Sequence, residues 1–106
     1  MTEPDDDAEV RAQYRTGAHN RRVAAESENL LRAGASDDDT AEFLCTCGRR
    51  DCDEILVLRL EEYDLVRAKP YRFVVAPEHD ARVDEVIRKE DEYWVVEVRP
   101  QFRLPD

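Results

Sequence analysis

Large apolar residues are distributed unevenly along this chain. Residues 2–40 contain only Val10, Tyr14, Val23, Leu30 and Leu31, whereas residues 41–106 contain twenty-four, from Phe43 to Leu104. The core is therefore expected in the second part. Residues 1–7 combine low hydrophobicity with one sign of charge, the composition of a disordered acidic lead. Residues 8–34 are rich in Ala, Arg, Glu and Gln and contain no proline, which predicts a long N-terminal helix. Its apolar stripe (Val10, Tyr14, Ala18, Ala25 and Leu31) is narrow and broken, and Gly17 and Asn20 weaken the middle. Such a helix either leans on its own sheet or docks on a partner, and the pattern supports both equally. Gly34 is a stop signal, and residues 35–41, including Ser36 and Asp37 to Asp39, read as an exposed linker.

From Glu54 the period changes. Glu54–Leu60 is almost continuously apolar, which predicts a central strand. Leu60–Arg67 switches to helical spacing, with Glu61 and Glu62 suited to a helix N-terminus and Pro70 ending the run. Arg72–Ala76, Arg82–Lys89 and Glu92–Arg99 read as three more strands, the last two joined by an acidic turn at Glu90 and Asp91. Along the last strand, Tyr93, Val95 and Glu97 point one way and Trp94, Val96 and Val98 the other. The expected fold is α+β: a small, mostly antiparallel sheet with one short inserted helix and the long N-terminal helix.

Composition narrows the functional classes. Sixteen basic residues face 26 acidic ones, a formal net charge of −10, and each part of the chain carries half of that excess. Non-specific phosphate binding needs the opposite sign, so nucleic acid is a poor fit as a partner. The acidic N-terminus does not resemble a signal peptide, and no apolar run exceeds four residues, so neither secretion nor membrane spanning is expected. The expected compartment is the cytoplasm. Three cysteines in a reducing compartment cannot all pair as disulfides, and clustered thiols there point to metal or redox chemistry.

The cysteines are clustered. Cys45, Cys47 and Cys52 lie within eight positions around Gly48. Thiolates are soft ligands, and zinc favours a tetrahedral shell of thiolates, alone or with imidazole. In an extended stretch Cys45 and Cys47 face the same side, and Gly48 permits the reversal that returns Cys52. Three ligands leave one corner to close, and His79, His19 and a carboxylate are the candidates. His79 is favoured because it sits in a loop between two predicted strands beside Pro77, with Glu78 or Asp80 able to orient the ring. His19, in the weak helix beside Asn20 and Arg21, reads as solvent-facing. The expected site is thus Cys45, Cys47, Cys52 and His79 around Zn2+, within a zinc-binding α+β domain spanning residues 42–106.

The residues also resemble a known group. Glu42, Phe43, Leu44, Cys45, Cys47 and Cys52 carry the first part of the likeness. Glu62, Tyr63, Val66, Arg67, Pro70, Arg72 to Val75, Pro77 and His79 carry the second. Together they look like a family of small uncharacterised actinobacterial proteins, over a stretch from about Arg21 to Val98. The resemblance implies a shared site of three cysteines and one histidine and brings no known activity. Glu78 stands where that family usually has glycine.

No catalytic constellation is expected. A deaminase-like zinc site would need His-x-Glu and Pro-Cys-x-x-Cys signatures, which are absent. Arg49, Arg50, Arg67, Lys69 and Arg72 read as surface charges balancing neighbouring acids rather than as a phosphate patch. Two roles remain: a zinc-stabilised module that binds another protein, and a thiol-based redox or metal sensor that releases zinc on cysteine oxidation.

Overall fold

The computed structural model describes residues 6–35, 39–49 and 51–103. Residues 1–5 of the expected acidic lead and 36–38 of the expected linker lie outside the described residues, while Asp6 and Asp7 begin the first helix, Ala35 ends the second, and Thr40 and Ala41 belong to the first strand. In place of one long N-terminal helix there are two, α1 (Asp6–Gln13) and α2 (His19–Ala35), separated by a π-helical segment at Tyr14–Ala18. The interruption falls at Gly17, a weak helix former. A Cβ on Gly17 would stand 2.9 Å from Nη1 of Arg21. The bare backbone there makes room for that arginine, whose Nε donates to the Gly48 carbonyl at 2.7 Å. Tyr14, the first residue of the π segment, is buried in the core.

The strands form two antiparallel sheets rather than one. β1 (Thr40–Leu44) pairs with β2 (Ile55–Arg59), with Phe43 opposite Leu56. After β2 the chain turns directly into the short helix α3 (Leu60–Arg67), as its spacing predicts. β3 (Arg72–Val75), β4 (Asp84–Lys89) and β5 (Trp94–Val98) form the second sheet in the order β3-β5-β4. A bulge lies between Val86 and Arg88, so Ile87 has no partner on β5 and is part exposed.

The central strand is thus β5, not β2. On β5, Val95, Val96 and Val98 are all buried, so both faces are covered. β2 alternates instead, with Leu56 and Leu58 inward and Ile55 and Val57 more than two-fifths exposed. A two-stranded sheet with core on one side leaves its other face uncovered, so a continuous apolar run here does not mean burial on both faces.

The two sheets are joined where β1 ends. Thr46 donates to the Val74 carbonyl of β3 through both its backbone N–H (3.0 Å) and its hydroxyl (2.6 Å). Beneath this seam Phe43 of β1 stacks on Tyr63 of α3, rings 4.2 Å apart and almost parallel.

Helix α2 packs on its own domain, and it does so with polar residues. Arg22, Glu26 and Asn29 repeat at helical spacing and are all buried. Asn29 donates to the Leu44 carbonyl (3.0 Å) and accepts the Leu44 N–H (2.7 Å), so its carboxamide imitates a neighbouring strand on the free edge of β1. Glu26 pairs with Arg67 of α3. Arg22 reaches furthest. Its Nε donates to the Thr46 carbonyl (2.8 Å), and its two terminal nitrogens grip the Asp84 carboxylate at 2.9 and 2.5 Å. The guanidinium also lies over the Phe73 ring at 4.7 Å. The anchoring face of α2 is therefore polar, and Val23, Leu30 and Leu31, the last a member of the expected apolar stripe, are left outward.

Candidate metal centre

The chain between β1 and β2 turns back on itself at Gly48. Its φ of +80° lies in the left-handed region, which glycine alone enters freely. Gly48 also packs against the π segment, where an added Cβ would meet the Ala18 carbonyl oxygen at 2.9 Å. Cys45 and Cys47 precede this reversal and Cys52 follows it. All three thiols are free of disulfides.

The fourth group arrives from the end of β3. Ala76, Pro77, Glu78 and His79 form a turn closed by the His79 N–H donating to the Ala76 carbonyl at 2.9 Å. Proline in second place and a left-handed third residue (Glu78, φ +69°) follow the type II pattern. That turn aims His79 back over the loop between β1 and β2. Its Nδ1 stands 3.6 Å from Sγ of Cys45 and 3.5 Å from Sγ of Cys52. The ligand atoms of Cys45, Cys47, Cys52 and His79 all lie within 4.8 Å of one another. His19 belongs to a different place, its Nδ1 3.3 Å from the Tyr14 hydroxyl and its ring edge-on to that tyrosine. It is half-buried there rather than solvent-facing.

These spacings suit a metal ion. At tetrahedral angles, sulfur about 2.3 Å and nitrogen about 2.0–2.1 Å from zinc are separated by about 3.5–3.6 Å. Both sulfur–nitrogen distances match that edge. The surrounding backbone is arranged for thiolate charge. Cys45 Sγ accepts the Ala76 N–H at 3.1 Å, Cys47 Sγ accepts the Arg49 N–H at 3.4 Å, and the Glu54 backbone bonds to Cys52.

The three sulfurs do not hold negative charge equally. A hydrogen bond from the Cys45 thiol pulls Cys47 below the ordinary thiol range. The same bond, followed by burial, pushes Cys45 up. Burial also raises Cys52. A divalent ion supplies the opposite charge that lets all three ionise together, with release of the thiol protons.

The remaining candidates separate from this site. Arg67 is paired with Glu26 and Arg72 with Glu97 (3.2 Å), so these two are charges balanced within the fold. Arg50 lies outside the described residues. Trp94 stays on its strand with Lys89 Nζ 4.6 Å from its ring. Among the described residues no helix is long and apolar enough to cross a membrane. Sequence reasoning missed the Arg22–Asp84 contact that backs the loop through Thr46. The only signal was an arginine on a helix face with few apolar alternatives. Comparison with family models, curated proteins and solved structures finds no match, so the likeness to actinobacterial proteins rests on its motif residues alone.

Proposed function

We propose that Cys45, Cys47, Cys52 and His79 hold one zinc ion, and that the ion is structural, making the chain a zinc-stabilised protein-interaction or regulatory module. The observation that carries this reading is the position of His79 Nδ1, one tetrahedral edge from two cysteine sulfurs. Three thiolates and one imidazole are a zinc donor set, and soft sulfur disfavours magnesium or calcium. The bound ion supplies a cross-link between the loop after β1 and the turn after β3. A small chain with a correspondingly small core gains most from such a link.

Four protein donors fill a tetrahedron and leave no corner for a reactive water, which favours a structural ion over a catalytic one. A binding role is supported by the outward face of α2, where Leu30 and Leu31 are 59% and 76% exposed. The net charge of −10 favours a protein partner over nucleic acid. A reducing cytoplasm is the compartment in which three thiols stay available to metal.

Elemental analysis of reductively purified protein tests the metal. One zinc per chain supports the reading, and absence of any transition metal overturns it. A second reading, a thiol sensor that releases zinc on oxidation, is favoured by one observation: Cys52 is only half-buried, whereas Cys45 and Cys47 are buried.

A further inference from the structure

The three sulfurs are not equally reachable. Cys45 and Cys52 both line an open cleft of about 200 Å³, but Cys45 is 6% exposed and Cys47 2%, while Cys52 is half-buried. One wall of the cleft is the apolar surface of Ala24 and Ala25 on α2. Arg21 and Arg49, both exposed at the surface, also line it. The Nε of Arg21 is tied to the Gly48 carbonyl at 2.7 Å, so this guanidinium is held in place beside the loop. The charged residues lining the cleft are both arginines, in a chain with ten excess acids, while the exposed Asp51, Asp53 and Glu54 that flank Cys52 in the chain are not part of its lining.

We infer that Cys52 is a modification site for small disulfides carrying carboxylates, an inference that rests on the zinc-site reading and deepens it. The cleft admits one end of such a molecule, and the arginines attract its anionic groups. The Cys52 thiolate attacks one sulfur of the disulfide RS–SR. A Cys52–S–SR bond forms, the RS–SR bond breaks, and its electron pair leaves on RS⁻. Cys52 has then lost the charge that made it a ligand.

A second thiolate of the cluster attacks the Cys52 sulfur and expels the second RS⁻. The short spacing among the four ligand atoms, all within 4.8 Å, puts that thiolate within reach. Two electrons pass from two cysteine thiolates to one disulfide, which departs as two thiolates. An internal disulfide remains, and the ion, left with two of its four donors, is released.

The test treats the zinc-loaded full chain with oxidised glutathione, neutral 2-hydroxyethyl disulfide and cationic cystamine. Each rate is divided by that of the same reagent with free cysteine. Peptide mass spectrometry locates the first adduct, and a chromogenic chelator follows zinc. The expected result is a first glutathione adduct on Cys52, with a normalised rate roughly threefold or more above that of cystamine at low salt. Arg49→Glu should bring the two reagents level or invert their order. A first adduct on Cys45 or Cys47, or no ordering by reagent charge, overturns the inference. Absence of zinc before treatment would overturn the metal reading instead, and the position of the first adduct would still decide the role of Cys52.

Discussion

The backbone N–H of Ala76 points at the Cys45 sulfur from 3.1 Å. The carbonyl of the same residue closes the turn that carries His79 back to that sulfur. One residue at the end of β3 thus steadies a thiolate and aims the imidazole. The turn carries some strain, because Glu78 sits at φ +69°, where a side chain is disfavoured.

Glu78→Gly should relieve that strain. Glycine enters the left-handed region freely, though its greater freedom in the unfolded chain offsets part of the gain, so roughly 0.5–1 kcal/mol of added stability is expected. Denaturant unfolding of the zinc-loaded protein measures it. A loss of stability would mean that the Glu78 side chain makes a contribution larger than the strain.

Gly48→Ala should act in the opposite sense. The left-handed φ of +80° and the 2.9 Å approach to the Ala18 carbonyl both penalise a methyl group. A cost of about 1–2 kcal/mol from the backbone alone is expected, with steric displacement of the π segment in addition. Zinc retention against a chelator should fall with it. Unchanged melting and retention would contradict the account of the loop.

The contact between Arg22 and Asp84 is fully buried on both sides. Burial works against the Arg22 charge, and the hydrogen bonds and charge of Asp84 overcome it, leaving its pKa raised. Removing one partner strands the other, so Arg22→Ala or Asp84→Ala should each cost about 3–5 kcal/mol. Replacing both with apolar residues of similar volume should cost less than the two single changes together. Additive losses in that double-mutant cycle would show that the two side chains do not act as a pair.

The cysteine site was legible because its chemistry is local. Three thiols around a glycine within eight positions restrict the geometry, and His79 follows a proline that fixes a turn. Helix α3 and strands β3, β4 and β5 were legible from their periods. β1 was not, because Thr40–Leu44 bridges the acidic stretch and the cysteine loop and holds only Phe43 and Leu44 as large apolar residues. The packing of α2 was hidden for another reason. Apolar periodicity assumes that a buried face is apolar, and here Arg22, Glu26 and Asn29 are buried by hydrogen bonding to backbone and to opposite charges. Once that face is taken inward, Leu30 and Leu31 must point outward, the reverse of what their hydrophobicity suggests.

His19 gives a pH dependence of defined sign. Burial, followed by the charge of Arg22, lowers its pKa below 6.5 in the folded chain. The unfolded chain therefore binds the proton first, so stability from His19 is present above pH 6.5 and is lost as pH falls through the lowered folded value. Relative to His19→Gln, the wild type should lose stability over that window while zinc stoichiometry stays the same in both. A difference that is flat with pH, or that grows toward acid, would contradict the placement of His19 against Tyr14.

X-ray absorption spectroscopy at the zinc edge, on wild type and His79→Ala, tests the central claim most directly. In the wild type, three sulfur scatterers at about 2.3 Å and one nitrogen at about 2.0–2.1 Å are expected. In His79→Ala the three sulfurs should remain, the imidazole signal should vanish, and zinc should be lost more readily to a chelator. A wild-type spectrum with oxygen in the fourth position, or one unchanged by the loss of His79, would contradict it.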